Sequence, residues 1–147
     1  MYNKNIQIIR FGTPQHDELV ALRNQILRIP LGLKFQTSDL EQEYQEIHFG
    51  FYDSKCVLVG GLQLRIINES TLKMRQVCVA EKYSNQGIGT KLVRASEQFA
   101  HENGYSKIEL HARENAIPFY LKLKYKKQGK PFSEVGIRHF KMVKRIK

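Results

Sequence analysis

Tryptophan is absent, and 147 residues hold only two cysteines and four prolines. The missing tryptophan decides nothing. Two cysteines cannot make a disulfide scaffold, and neither Cys56 nor Cys78 stands at metal-ligand spacing, so no metal is expected. Both lie in strand-like apolar runs and are expected to be reduced core thiols. No apolar run approaches the roughly 20 residues that cross a bilayer. Met1-Tyr2-Asn3-Lys4-Asn5 lacks the pattern of a signal peptide. A cytoplasmic chain, neither secreted nor membrane-inserted, is the expectation. Linkers, low-complexity tracts and repeats are missing too, so residues 1–147 are expected to form one domain of ordinary size. A hydrophobic fraction of 41% supplies its core.

Negative charge is also short, and unevenly so. Residues 1–74 carry 8 Lys/Arg and 8 Asp/Glu, whereas residues 75–147 carry 16 and 6, so the whole formal excess of +10 lies in the second half. Such a field attracts polyanions: nucleic acid, an acidic surface, or a phosphate-rich cofactor.

Hydrophobic periodicity orders the elements. A strand is expected at Ile6–Phe11, followed by a helix that Thr13 caps, Pro14 opens and Pro30 stops. Ser38 and Glu41 suggest a capping box for a short acidic helix containing Leu40, Tyr44 and Ile47. Strands are expected at His48–Tyr52, Cys56–Ile67 and Leu72–Val79, with a bulge at Gly60-Gly61. A helix from Gly87 to about His101, a strand around Ile108–Ala112, a helix from Asn115 to Leu123 and a strand over Arg138–Ile146 complete the chain. Strands that first meander and then alternate with helices predict an α/β (α+β) fold.

The informative segment runs from Val77 to Leu92. A strand ends, a short loop (Ser84-Asn85-Gln86) turns, and Gly87 and Gly89 open a helix. Unpaired N–H groups at a helix start bind anions, and glycines let a phosphate approach the backbone. The loop alone also fits an ordinary helix whose glycines are incidental. It lacks the Gly-Lys-Ser/Thr of a Walker loop, and Glu109 is a poor candidate for the acidic residue of a dinucleotide fold.

Val77–Leu92 resembles the acyl-CoA-binding segment of the GNAT N-acetyltransferase superfamily, Arg/Gln-x-x-Gly-x-Gly/Ala after a strand. Asn115-Ala116-Ile117-Pro118-Phe119-Tyr120-Leu121-Lys122-Leu123-Lys124-Tyr125 is similar to the family's downstream Asn-x-x-Ala-x-x-Phe-Tyr-x-x-x-Gly-Phe, slightly compressed. The ending Phe132–Met142 resembles the tail of a small single-domain bacterial subgroup, with Arg138 in place of its proline. The resemblance implies a mixed, mainly antiparallel sheet of 6–7 strands with splayed central strands, flanked by about four helices. It implies acetyl-CoA as cosubstrate: Val77, Cys78 and Val79 pair with the pantetheine arm, and Ser84, Asn85, Gln86, Gly87, Ile88, Gly89 and Thr90 surround the pyrophosphate. Asn115 bonds the arm, Phe119 packs on it, and Tyr120 is the general acid for the departing thiolate. Two departures stand out: Ser84 replaces the family's Arg or Gln, and Lys124 replaces its glycine.

The implied reaction is direct acetyl transfer to an amine of a small molecule or peptide. An amine protonated at neutral pH needs a base. The strand before the loop offers no carboxylate, only Gln76, which can orient water. Side chains that titrate near neutrality or below remain: His48, His111, His139 and Glu134. Of these, His48, Glu134 and His139, with Gln76, are the candidate acceptor-side residues, and His111 is expected to pack on the sheet. The acidic segment Asp39–Glu46 suits an amine or polyamine acceptor. A homodimer is possible. The lysines from Lys122 to Lys130 leave open a nucleic-acid- or ribosome-associated module, less favoured, or a CoA-binding fold without transfer activity.

Overall fold

The computed structural model describes residues 3–146. Eight strands form one sheet: β1 (Ile6–Ile9), β2 (Ile47–Tyr52), β3 (Leu58–Ile66), β4 (Thr71–Val79), β5 (Lys107–Arg113), β6 (Lys126–Lys127), β7 (Phe132–Glu134) and β8 (Ile137–Arg145). The order is β1-β2-β3-β4-β5-β8-β6, with β7 also on β8. Every pairing is antiparallel except β4 with β5. Four α-helices accompany it: α1 (Pro14–Arg23), α2 (Thr37–Glu41), α3 (Ile88–Glu102) and α4 (Ile117–Lys122). The sheet thus exceeds the expected 6–7 strands by short pieces, β6 and β7, too brief to show a hydrophobic period. Among the described residues, no helix is long and apolar enough to cross a membrane.

Neighbouring glycines show that α1 and α3 cover opposite faces. A Cβ on Gly61 would collide with Leu19 of α1 and stand 2.9 Å from the Phe49 carbonyl oxygen. A Cβ on Gly60 would stand 3.1 Å from Ile88 and 3.2 Å from Leu92, both on α3. Successive strand residues point to opposite faces, so each glycine admits a different helix. The expected bulge stands beside this pair: β2 and β3 pair Phe51 with Gly60 and then Tyr52 with Leu58, leaving Val59 extra on β3. A second bulge lies across the ladder on β4. β3 and β4 pair Gly61 with Cys78 and then Gln63 with Arg75, leaving Leu62 opposite both Gln76 and Val77. Gln76 takes the extra position with φ 57°.

Other expectations shift as well. The first helix stays α-helical only to Arg23, then passes through a π-helical turn (Asn24–Arg28) and a 3₁₀ turn (Ile29–Leu31). α2 ends at Glu41, short of Tyr44 and Ile47; its first turn is closed by the Asp39 carboxylate, which accepts from the Gln36 N–H. Cys56 is no core thiol: it is exposed in the β2–β3 hairpin with φ 62°, whereas Cys78 is buried.

The acidic segment is the largest revision. Glu43 and Glu46 are buried. Arg23, fully buried, donates from both Nη atoms to Glu43 at 2.9 and 3.0 Å. Glu46 accepts from Gln63, Arg65 and Arg75 at 2.8–3.0 Å. These carboxylates tie the segment before β2 to α1, β3 and β4. Burial pushes the Glu43 carboxyl up, but the bonds and charge of Arg23, with Gln63 and Arg75, together outweigh it and hold it below the usual glutamate range.

Lys124 follows α4 at φ 75°, the left-handed conformation that a glycine accepts without strain. Replacing Lys124 with glycine is expected to raise stability by about 0.5–1 kcal/mol, the strain relieved less glycine's extra freedom in the unfolded chain. Urea denaturation checks this; a midpoint unchanged or lowered would show that the backbone is unstrained there.

Candidate active site

β4 and β5 are paired over only four residues, from Thr71↔Lys107 to Met74↔Leu110. β4 then runs on to Val79 and β5 to Arg113 without bonding each other. The bulge at Gln76 sits at the parting, and bulges bend a strand and sharpen its twist. Between the strands opens a cleft of about 390 Å³, walled by Gln76 and Val77 on one side and Ala112 and Arg113 on the other, with Ala116 and Tyr120 below. Val77, Cys78 and Val79 have no β5 partner, and Val77 lines the cleft. Val77 and Val79 are half-buried. Burial pushes the Cys78 thiol up to about 12, which removes it as a nucleophile.

Beyond the strand, a 3₁₀ turn (Glu81–Tyr83) leads into the glycine loop. The Tyr83 hydroxyl donates to Asp53 at 2.7 Å and fixes the turn to the β2–β3 hairpin. The Ser84 hydroxyl bonds back within the turn, donating to the Glu81 carbonyl at 2.8 Å. Asn85 (φ 61°) and Gly87 (φ 80°) reverse the chain, and Gly87 is the N-cap of α3 without a side-chain bond. Residues 84–87 are exposed, and the first turn of α3 holds no acidic residue. The leading amides of α3, at Ile88, Gly89 and Thr90, lack intrahelical acceptors, which makes this end an anion cradle. Gly89 has a packing role as well: a Cβ there would stand 3.3 Å from the Phe119 ring.

Phe119 and Tyr120 meet edge-to-face at 4.9 Å, and Tyr120 meets Tyr125 at 5.8 Å. Tyr120 is buried at the cleft floor, and burial raises its phenol above the ordinary value. It is therefore a hydrogen-bond donor at any physiological pH. Asn115 is exposed in the 3₁₀ turn (Glu114–Ala116) between β5 and α4.

A splayed parallel pair with a bulge, an uncapped helix start beyond it and a tyrosine beneath meet their counterpart in one family. Residues 33–146 match the model of the acetyltransferase (GNAT) domain. The chain belongs to the GNAT acetyltransferase family. It is 30% identical over 119 residues to the uncharacterized N-acetyltransferase YjcF of Bacillus subtilis, covering 76% of this chain and 83% of that one. Its fold superposes on an aminoglycoside 6′-N-acetyltransferase crystallised with coenzyme A at a TM-score of 0.78, with 20% identity and 96% of each chain covered. A GNAT family acetyltransferase from Elizabethkingia anophelis with acetyl-CoA bound matches at 0.72, with 20% identity over 97% of this chain and 99% of that one.

In this acetyltransferase the β7–β8 hairpin closes the other end of the cleft. Val135 (φ 48°) and Gly136 (φ 74°) form its two-residue turn, which sets Glu134 opposite Ile137. Both central residues at positive φ are what a tight hairpin requires. Glu134 Oε1 lies 3.1 Å from His111 Nδ1, and its Oε2 lies 3.7 Å from His139 Nε2. His139 Nδ1 donates to the Ile137 carbonyl at 2.8 Å, so its Nε2 is the nitrogen that faces Glu134. Burial pushes the Glu134 carboxyl up, but the bond from His111 and the charges of His111, His139 and Lys73 outweigh it, and its pKa lies below the ordinary value. All three line the cleft. His111 thus belongs to this group rather than to sheet packing alone. Arg138 points elsewhere, paired with Glu114 at 3.2 Å.

His48 is not brought to the cleft. It is buried under α1, 4.9 Å from the His16 ring and beside Phe11, with Nε2 donating to the Glu43 carbonyl at 3.1 Å. His48 Nδ1 and His16 Nε2 are buried without partners. Burial lowers the pKa of both imidazoles; for His16 the neighbouring His48 and Arg23 add to it. Both are therefore neutral when folded but take up protons near pH 6.5 when unfolded. Below that value the unfolded state binds more protons, so stability is lost as pH falls. The unfolding free energy in urea should fall continuously from pH 7.5 to 5, less steeply in a His16→Gln variant; a flat wild-type profile would contradict two buried neutral histidines.

Proposed function

We propose that this acetyltransferase transfers an acetyl group from acetyl-CoA to a primary amine of a small molecule or peptide, with both substrates bound at once. The observation that carries the reading is the cleft itself, which runs between an uncapped helix start and a carboxylate–histidine group. The residues fit the cosubstrate. Val77–Val79, which lack a β5 partner, suit a chain of amides, and the Ile88, Gly89 and Thr90 amides suit a pyrophosphate. Phe119 and Asn115 border the path between them. Acetyl-CoA supplies the activated thioester; the protein supplies alignment and proton traffic.

Three demands fall on the protein. A backbone N–H near Val79 stabilises the developing oxyanion, which desolvation strengthens. Tyr120 donates to the departing thiolate; because burial raises its pKa, it acts chiefly as a hydrogen-bond donor and full proton transfer is uphill. His139 takes the amine proton on Nε2, and Glu134, 3.7 Å away, stabilises the imidazolium that forms. Ser84 offers no long side chain to the phosphates, so the grip there rests on backbone amides.

The nucleic-acid alternative has less support. Lys141 and Lys144, part of the basic ending, are paired with Glu109 at 3.5 Å and Glu97 at 3.0 Å. The cytoplasmic compartment expected from the sequence goes with the enzyme reading.

Calorimetric titration with acetyl-CoA is expected to show stoichiometric binding that Gly89→Val abolishes by pushing on Phe119. Tyr120→Phe is expected to lower kcat by about 10²-fold, the scale of one lost donor to developing negative charge, with acetyl-CoA Kd nearly unchanged. A matched loss in both would assign Tyr120 to packing, and a folded chain that ignores acetyl-CoA would overturn the proposal.

A further inference from the structure

The cleft's acceptor side is cationic in a way the sequence conceals. Five cations line it, Arg28, Arg65, Lys73, Arg75 and Arg113, against one carboxylate, Glu134. Arg65 and Arg75 are neutralised by Glu46 at 2.9 Å each. Arg28, Lys73 and Arg113 make no ion pair among the described residues. Arg28 stacks on Phe35 at 4.5 Å, and its buried Nε has no hydrogen-bond partner. Arg113 donates only to the Leu27 carbonyl, at 3.0 Å. Burial and the nearby positive charge of Arg28 both lower the Arg113 pKa, which marks two guanidiniums crowded in a half-buried place. Lys73 is half-buried in the same cleft, where burial, with the charges of Arg75 and Arg65, lowers its pKa. Glu134 is the one carboxylate in the lining that acts on Arg113 and Lys73; desolvated like charges in excess of their counterions are costly, and an anion offsets that cost.

These cations do not serve the phosphates at the head of α3. Arg28 follows α1, which covers the opposite face of the sheet from α3. Lys73 stands six residues before Val79 on β4, about 20 Å at the rise of an extended strand. Arg113 stands directly across the β5–β8 ladder from His139, and Glu134 acts on both Arg113 and Lys73, so these cations sit beside the carboxylate–histidine group. A carboxylate–histidine group with guanidiniums next to it complements a small molecule that carries an amine and an anion close together.

Resting on the acetyl-transfer reading, we propose that the acceptor is an amine bearing its own anionic group, a carboxylate or a phosphate, which Arg28 and Arg113 hold while Glu134 and His139 receive the amine. Guanidinium forks favour both anions bidentately. A polyamine or aminoglycoside, by contrast, would bring like charge to this wall.

The test follows CoA release from acetyl-CoA with a thiol reagent. One arm compares free L-amino acids with their methyl esters, a second compares aminoalkyl phosphates with the matching amino alcohols, and a third uses spermidine and kanamycin. In at least one of the first two arms, kcat/KM for the anionic member is expected to exceed that of its uncharged counterpart by about tenfold or more, the scale of a charge-assisted hydrogen bond. Which arm responds identifies the anion. Arg28→Gln should bring that ratio close to one, with acetyl-CoA Kd changed less than about twofold; Lys73→Gln, which leaves the Phe35 stack intact, should lower it independently. Preference for esters, amino alcohols or polycations would overturn the proposal, as would an unchanged ratio in both folded variants. So would a protein that binds acetyl-CoA but acetylates no anionic amine. A folded protein that binds no acetyl-CoA would instead overturn the acetyl-transfer reading beneath it.

Discussion

The active site depends on two parallel strands that begin as hydrogen-bonded neighbours and are then held apart. β4 and β5 share four residue pairs, while β5 is bound to β8 over seven, from Lys107↔Arg145 to Arg113↔His139. On the other side β4 is bound to β3, and the bulge at Gln76 bends it at the place where β5 leaves. Ion pairs to a buried carboxylate then fix the bend. Arg75, the residue before the bulge, donates to Glu46, which also holds Arg65 and Gln63 of β3. Glu46 is buried while Arg65 and Arg75 are partly exposed, and drawing Arg75 away would strip a buried carboxylate of one of its partners. β4 therefore does not relax toward β5, and the cleft is a property of the sheet rather than of a loop.

Holding the strands apart leaves backbone donors and acceptors facing a half-buried space. Such groups require partners, and a linear substrate with amides along its length supplies them in strand fashion. The same parting sorts the chemistry by position. The far end of β4 leads to the α3 amides, the floor carries a tyrosine kept protonated by burial, and the wall near the parting collects ionisable side chains. Each property follows from where the two strands diverge.

Local chemistry was legible in the sequence and remote pairing was not. Gly87 and Gly89 announce a helix start, and Phe119 and Tyr120 fall on one short helix; both signals lie within a few residues. The Gly60-Gly61 pair signalled a bulge, which stands beside it at Val59, but not its packing role. Its lack of Cβ atoms admits Leu19 and Ile88 on opposite faces, while a second extra residue lies across the ladder at Gln76. Glu43 and Glu46 look like a solvated helix face because their partners, Arg23, Arg65 and Arg75, stand 19 to 29 residues away. His48 was misplaced for the same reason, since the ring it packs against belongs to His16. Glu134, which falls between the elements expected from the sequence, gains a fixed place from a hairpin too short to show alternation.

Charge shows most plainly why counting residues misleads. The first half of the chain is formally neutral, yet its carboxylates at 43 and 46 are consumed by arginines, and Arg28 and Lys73 from that same half reach the cleft unpaired. An acidic stretch that seemed suited to a polyamine thus becomes internal bracing, and the wall it braces is positive. Neither outcome can be computed from composition, because a charge matters to a ligand only after the protein's own pairs are made. Once they are, the cleft's balance is three uncommitted cations against Glu134, and Glu134 is itself engaged by His111 and His139. On the proposed reading, the amine of an acceptor would meet one carboxylate already engaged with two histidines, and the positive field around it would favour an anion on the same molecule.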